Sequence, residues 1–205
     1  DATTKSTIDP VLNIFVKEFN RKMGYDDKKP EIAEIERYFD NKGKYEFFKE
    51  EYQKRFGETW ENGRKSILLK LQRVAEIMAE IDGIPQATAF DNIKAQIANY
   101  KIDTDGFVAL VKEHLDKQQP GSRFIFFVDE VGQFIGKDVH RMLSLQTIAE
   151  GLSDKTNGQS IVIVTSQMDI DATLGNLDKQ QEYDFSRIQG RFDTRISLTS
   201  ANADE

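Results

Sequence analysis

Hydrophobic residues recur at helical spacing throughout residues 1–118. The clearest apolar stripe ends before Gly83 and consists of Ile67, Leu71, Val74, Met78 and Ile81. Asp9 and Pro10 form a typical helix start, because aspartate caps a helix and proline at the first helical position loses no needed hydrogen bond. The pattern predicts about five or six helices and no strand in this region.

The pattern changes after Pro120-Gly121, where two uninterrupted apolar runs appear. The first is Phe124–Val128 and the second covers 161–164. Runs of this kind are typical of strands that are buried on both faces, as in a parallel sheet. Between them, apolar residues at helical spacing predict a helix through Leu143, Ile148 and Leu152. We therefore predict a strand–helix–strand crossover, followed by a third strand at 195–199.

The composition excludes several classes of site. The chain has 205 residues, with 28 Lys and Arg, 35 Asp and Glu, and a net charge of −7. It has no cysteine and only two histidines, which excludes a disulfide framework, a cysteine nucleophile and a thiolate zinc site. The acidic balance argues against binding to a phosphate backbone over the whole surface. These features favour a reducing, cytoplasmic setting.

No apolar run approaches the ~20 residues needed to cross a bilayer, so we expect no membrane-spanning segment. The chain begins at Asp1 without a signal-peptide pattern and stops at Glu205 soon after the third predicted strand. We interpret it as an excised fragment, which could hold part of an active site.

Two carboxylates, Asp129 and Glu130, directly follow the first predicted strand. Open α/β sheets bind ligands at the carboxyl ends of their strands, so this position suits a site. In nucleotide hydrolysis the first acid of such a pair can hold Mg²⁺, and the second can orient or deprotonate the attacking water. An apolar strand followed by Asp-Glu is the Walker B arrangement. An acid here can also simply cap the next helix, and the pair alone leaves both interpretations open.

Three uncharged polar residues, Thr165, Ser166 and Gln167, directly follow the second predicted strand. If the two strands are neighbours, these side chains lie beside Asp129 and Glu130. There they could hydrogen-bond the attacking water or a γ-phosphate, whereas the alternative is an ordinary hydrogen bond to backbone at a strand end.

Three arginines, Arg187, Arg191 and Arg195, lie close together before or at the start of the third predicted strand. A guanidinium group is always charged and fork-shaped, which suits a γ-phosphate presented by a neighbouring subunit. The Gly-Arg-Phe-Asp at 190–193 resembles the segment of AAA+ ATPases near their arginine fingers. The alternative is a solvated or salt-bridged surface cluster.

In this order, the segments resemble one family. The motifs that carry the resemblance are Val-Asp-Glu-Val-Gly-Gln-Phe-Ile-Gly at 128–136, Leu-Gln-Thr-Ile at 145–148, Ile-Val-Thr-Ser-Gln at 163–167 with Asp-Ile-Asp at 169–171, and Asp-Phe-Ser-Arg-Ile-Gln-Gly-Arg-Phe at 184–192. The family is BrxC, the P-loop ATPase subunit of the BREX bacteriophage-exclusion systems. Residues 1–118 fit it as an insertion but hold no short motif of it.

The resemblance implies an α/β fold. Residues 119–205 would form the C-terminal part of a P-loop NTPase (AAA+-like) parallel sheet, and residues 1–118 a large helical insertion. It also implies a large cytoplasmic, oligomeric ATPase that uses ATP and Mg²⁺ and works with a methyltransferase and other BREX subunits to block phage DNA replication. The implied roles are metal binding by Asp129, base catalysis by Glu130, nucleotide contact by Thr165, Ser166 and Gln167, and action across a subunit interface by Arg187 and Arg191.

One motif of that family is absent from the sequence. No Gly-x-x-x-x-Gly-Lys-Ser/Thr occurs, because Gly43-Lys44 continues to Tyr45 and Gly136-Lys137 continues to Asp138. The backbone N–H groups and the lysine of that loop bind the β- and γ-phosphates. We therefore expect the 205-residue chain alone neither to bind ATP tightly nor to hydrolyse it.

An alternative function is a helical module that binds nucleic acid or protein without catalysis. Residues 42–73 hold nine Lys and Arg against five Glu. Aromatic residues are interleaved with these charges and could stack on bases: Tyr45, Phe47, Phe48, Tyr52, Phe56 and Trp60. The helical spacing of most of these aromatics also predicts that they face a core, which leaves the lysines on a solvated surface.

Overall fold

The computed structural model describes residues 8–131, 138–165, 194 and 196. The chain divides into two compact units, Asp1–Asp103 and Thr104–Glu205. In the part of the chain described, no helix is both long and apolar enough to cross a membrane.

The first unit is helical. Its elements are α1 (Pro10–Met23), α2 (Pro30–Asn41), α3 (Tyr45–Phe56), the single turn α4 (Trp60–Gly63), a 3-10 helix (Arg64–Leu69), α5 (Leu71–Asp82) and α6 (Gln86–Ala98).

Local sequence determines where these helices begin and end. The Asp9 carboxylate accepts hydrogen bonds from the backbone N–H groups of Val11 and Leu12, which caps α1. Gly24 and Gly83 have φ of 82° and 66° and end α1 and α5, because glycine adopts left-handed backbone at little cost. The predicted start of α1 and the predicted ends of α1 and α5 are confirmed.

The long apolar stripe that begins at Ile67 does not form one helix. Ile67 lies in the 3-10 helix, Ser66 has the non-helical angles φ −118° and ψ 17°, and α5 begins only at Leu71. Ile67 and the apolar residues of α5 still share one core. The predicted continuous helix is therefore wrong at its start, because a short 3-10 helix can keep an apolar stripe facing the same core while the backbone turns.

Aromatic side chains fill the core of the first unit. The rings of Phe39 and Phe48 stack with centroids 4.2 Å apart, and Trp60 meets Phe48 edge to face at 4.8 Å. The ring centroids of Tyr52 and Trp60 lie 5.2 Å apart, also edge to face. Offset and edge-to-face pairs of this kind add to the stabilisation that comes from burial alone.

Glu36 of α2 lies within this core with its side chain fully buried. Its carboxylate accepts hydrogen bonds from the Tyr45 hydroxyl at 2.9 Å, the Trp60 indole at 2.6 Å and the Arg64 guanidinium at 2.7 Å, and from the backbone N–H of Asp26 at 2.5 Å. Burial, followed by the charge of Glu36, raises the pKa of Tyr45 well above its usual range. A buried carboxylate is stable only when it is paired in this way.

The second unit contains α7 (Thr104–Asp116), β1 (Phe124–Val128), α8 (Val139–Lys155) and β2 (Ser160–Val164). The two strands pair in parallel, and the register places Phe124 opposite Ser160 and Val128 opposite Val164. The predicted strands and the helix between them are confirmed. The third predicted strand falls outside the described residues except for Ile196.

The division between the units differs from the predicted boundary at 118/119. Helix α7 packs against α8, and Phe107 of α7 contacts Phe126 of β1 with ring centroids 5.8 Å apart. Helix α7 therefore belongs with the sheet rather than with the preceding helices. The P-loop fold class stays a prediction, since the described sheet has two strands.

In the part of the chain that the structure describes, one face of this sheet is largely exposed, whereas the sequence predicts strands buried on both faces. Ile125, Phe127, Ile161 and Ile163 point to the same face and are 39% to 64% exposed. Phe126, between the two exposed residues of β1, is buried. An apolar run does not distinguish a strand covered on two faces from one covered on a single face, which accounts for the difference among the described residues.

Candidate functional site

The candidate site lies where β1 and β2 end. Because the strands are parallel and Val128 is opposite Val164, the next residues, Asp129 and Thr165, emerge side by side at the same edge of the sheet. This is the carboxyl edge, where open α/β sheets bind ligands.

Backbone hydrogen bonds hold the acidic turn against β2. The Thr165 N–H donates to the Val128 carbonyl at 3.0 Å, and the Val131 N–H donates to the Thr165 carbonyl at 2.9 Å. Both hydrogen bonds involve Thr165, and along the chain they flank Asp129 and Glu130 on either side. Val131 is buried, which fixes the far end of the turn.

The Thr165 hydroxyl connects the two acidic residues. It donates a short hydrogen bond to Asp129 Oδ1 and accepts one from the Glu130 N–H at 3.1 Å. The Glu130 N–H also lies 3.1 Å from Asp129 Oδ1. One side chain on β2 therefore orients the Asp129 carboxylate and the Glu130 backbone together.

Glu130 has a left-handed backbone, with φ of 51°. Residues other than glycine, asparagine and aspartate rarely adopt this conformation, and outliers of this kind concentrate at functional sites. The hydrogen bonds to Thr165 hold Glu130 there.

The donor set fits a hard divalent cation. Oδ1 of the exposed Asp129 carboxylate takes both hydrogen bonds, so the other oxygen, Oδ2, is available as a ligand. Mg²⁺ prefers carboxylate oxygen and water, and it commonly uses only one or two protein carboxylates together with substrate phosphates. Within residues 8–131 and 138–165, no group of three or more His, Asp or Glu side chains forms a self-sufficient metal site.

Three of the seven sequence-predicted site residues, Asp129, Glu130 and Thr165, are brought together here. The other four lie outside the described residues: Ser166, Gln167, Arg187 and Arg191.

Sequence reasoning missed the double role of Thr165 and the part played by Val131. We expected Thr165 to face a nucleotide, whereas its hydroxyl is bonded to Asp129 and Glu130. The predicted position of Thr165 beside Asp129 and Glu130 is confirmed, because the two strands are parallel neighbours that end in register. The left-handed backbone of Glu130 has no signal in residue type.

In the helical unit, the aromatics of residues 42–73 are not available for stacking on bases. Tyr45, Phe48, Tyr52 and Trp60 are buried, and Phe56 is packed against the same core. Phe47 alone among the six is strongly exposed. The interpretation that most of these aromatics face a core is confirmed. The hypothesis of a nucleic-acid-binding module therefore loses the exposed aromatic surface on which it depended.

No protein-family model matches the chain, and no solved structure matches it. The resemblance to the BREX ATPase subunit therefore remains a prediction based on the quoted motifs.

Proposed function

We propose that this chain carries part of the catalytic centre of an ATP-hydrolysing enzyme of the P-loop class, whose phosphate loop lies elsewhere in the parent protein. The observation that carries the proposal is the Thr165–Asp129 hydrogen bond, which joins the polar end of β2 to the acidic end of β1. It supports an acidic pair oriented for chemistry, because a hydroxyl of the neighbouring strand bonds the Asp129 carboxylate directly.

Each residue of the site then has a distinct task. Asp129 would hold Mg²⁺ through Oδ2, while Thr165 fixes the orientation of that carboxylate. Glu130 would orient the attacking water and accept its proton. Bound Mg²⁺ supplies charge neutralisation at the β- and γ-phosphates of ATP. Ser166 or Gln167 would contact the γ-phosphate, and Arg187 or Arg191 would act from a neighbouring subunit.

The biological role rests on the motifs at 128–136, 163–167 and 184–192. On that basis the parent is a cytoplasmic, AAA+-like ATPase of a BREX phage-defence system. It would act as a homo-oligomer with other BREX subunits and with DNA as a target, and without a membrane partner.

The orienting role of Thr165 predicts a specific pattern of variants in the full parent protein. Thr165→Val removes the hydroxyl at nearly constant volume, and hydrogen bonds to a charged group contribute about 1.5–3 kcal/mol. We expect roughly tenfold or greater loss of ATP turnover and a higher Mg²⁺ concentration for half-maximal rate. Thr165→Ser keeps the hydroxyl and should stay near the wild-type rate.

Thr147→Val is the matched control, because among the described residues the Thr147 hydroxyl bonds the Leu143 carbonyl of its own helix, at 2.9 Å, and no residue of the acidic site. Wild-type turnover of Thr165→Val, or equal losses in Thr165→Val and Thr165→Ser, would show that the hydroxyl does not orient the acidic pair.

The isolated 205-residue chain is expected to be inactive, because its sequence contains no phosphate loop. Calorimetric titration with Mg²⁺-ATP should give no saturable binding, and phosphate release should equal that of the Asp129→Asn variant. Turnover of the isolated chain that Glu130→Gln abolishes would contradict this expectation.

A further inference from the structure

The helix break before α5 has no evident cause in the local sequence. From Arg64 to Asp82 the chain contains neither glycine nor proline, and residues 68–73 are all leucine, lysine, glutamine or arginine, which are strong helix formers. Yet Ser66 and Lys70 both lie outside the helical range, with φ of −118° and −133°. Where proline and glycine are missing, a sharp break commonly arises because another group inserts into the backbone hydrogen bonds.

Lys29, from the loop before α2, is such a group. Its ammonium donates hydrogen bonds to the backbone carbonyls of Arg64 and Lys65, at 3.2 Å and 2.6 Å. An uninterrupted α-helix would direct these two carbonyls to the N–H groups of Leu68 and Leu69, four residues further along the chain. A charged donor forms a stronger hydrogen bond than a neutral amide. Lys29 therefore competes with the α-helix for the carbonyls at the break.

A second side chain ties the 3-10 helix to the same loop. The Arg64 guanidinium donates to the Gly24 carbonyl at 3.2 Å and to the buried Glu36 carboxylate at 2.7 Å. Asp26 Oδ1 accepts a hydrogen bond from the backbone N–H of Lys29 at 2.9 Å, which fixes the part of the loop from which Lys29 extends. Lys29 and Arg64 thus join the α1–α2 loop and the 3-10 helix in both directions.

The apolar core does not itself require the break. Ile67, Leu71 and Val74 follow one another at steps of four and three residues, which is the spacing of one helix face. Ile67 and Val74 are already buried in one core. Leu69 is 90% exposed and contributes little to that core. An α-helix that continued α5 back to Ser66 would therefore keep Ile67 on the core side.

We propose that Lys29 and Arg64 form a latch that holds residues 64–70 out of α5, and that release of Lys29 lets α5 extend back to Ser66. A 3-10 stretch between helical turns often marks a hinge. A helix-forming sequence that distant side chains keep out of a helix is an element with two alternative forms, because its local preference and its tertiary contacts disagree. The latch lies within the helical unit and does not depend on ATP hydrolysis.

The test is nuclear magnetic resonance of the full 205-residue chain carrying Lys29→Met, which removes the ammonium and keeps an unbranched side chain. The Cα resonances of Ser66 and Lys70 report their backbone conformation. We expect both to move downfield by roughly half or more of the difference between non-helical and helical values, as the extended form becomes populated. Lys29→Gln, which is shorter and uncharged, should have the same effect. Arg64 is left unchanged, because its loss would also remove the charged partner of a buried carboxylate.

The matched control is Lys28→Met, the same change at the adjacent exposed lysine, which should leave both resonances at their wild-type positions. A second substitution tests whether the new form is helical. Glycine strongly disfavours a helix interior, so Leu69→Gly added to Lys29→Met should return both resonances towards the wild-type values, whereas Leu69→Ala should not. Leu69 is exposed, so neither change removes core packing.

Unchanged resonances in both Lys29 variants, or an equal change in Lys28→Met, would overturn the proposal. So would movement towards unfolded values, because the segment would then lose structure rather than join α5. Resonances of the Lys29→Met, Leu69→Gly protein that equal those of Lys29→Met alone would show that the new form is not a helix. Failure of both Lys29 variants to fold would contradict the latch as well, since Lys29 would then be needed for the fold itself rather than for a choice between two forms.

Discussion

Replacing Glu36 by alanine is expected to lower the free energy of unfolding by roughly 3–5 kcal/mol, the usual range when one partner of a buried ion pair is removed. Glu36 is fully buried and binds four donors, three of which are the side chains of Tyr45, Trp60 and Arg64. Without the carboxylate these donors lose their acceptor, and Arg64 keeps a charge that is only partly solvated.

The loss would be a large share of the stability of a domain of this size, which is typically about 5–15 kcal/mol. Urea unfolding followed by far-ultraviolet circular dichroism measures it. Tryptophan fluorescence is less suitable because Trp60, the single tryptophan, bonds to Glu36.

Two further variants separate the charge from the general effect of substitution. Glu36→Gln keeps the shape and one accepting oxygen but not the charge, so its loss should be intermediate. Glu61→Ala changes an exposed glutamate and should stay within about 0.5 kcal/mol of wild type. A Glu36→Ala midpoint close to the wild-type value would contradict the role assigned to this carboxylate.

The second large effect is expected at Glu130. If Glu130 accepts a proton from the attacking water, Glu130→Gln removes the base while keeping size and hydrogen-bonding capacity. General base catalysis contributes roughly 10²–10⁴-fold, so ATP turnover by the parent should fall at least about 10²-fold. Nucleotide binding should persist, because Asp129 and Thr165 are unchanged.

The backbone of Glu130 adds a second expectation. Glutamine tolerates the left-handed φ of 51° no better and no worse than glutamate, so Glu130→Gln should fold with wild-type stability. A loss of turnover can then be assigned to chemistry, provided that the thermal midpoints of the two proteins agree.

Most of the helices and both described strands could be predicted from periodicity. The stripe through Phe48 and Tyr52 predicts α3, and the runs at 124–128 and 161–164 predict β1 and β2. These predictions are correct because burial of one face of a helix or strand imposes a regular spacing on its apolar residues.

The predictions differ from the structure where one spacing of apolar residues is compatible with two different structures. The stripe from Ile67 to Met78 crosses a backbone break because the core contact is maintained on both sides of it. The strand with Ile125 and Phe127 is apolar on both faces, although these two side chains are more than half exposed in the described part of the chain. Spacing records which residues are apolar, and only the tertiary arrangement determines what covers them.

The candidate site could be predicted in part. The contact between Asp129 and Thr165 follows from two parallel strands that end in register. The left-handed turn at Glu130 does not, because glutamate carries no preference for it. Burial of Glu36 was equally unpredictable, since a glutamate is almost always exposed unless its partners are known.

The most direct test of the central claim is the steady-state ATPase rate of the full parent protein, wild type against Glu130→Gln, with ATP binding measured in parallel. We expect turnover to fall by roughly 10²-fold or more while ATP binding persists, which would establish Asp129 and Glu130 as the catalytic acid pair. Equal rates would show that the pair is structural and that this chain does not carry the hydrolytic centre.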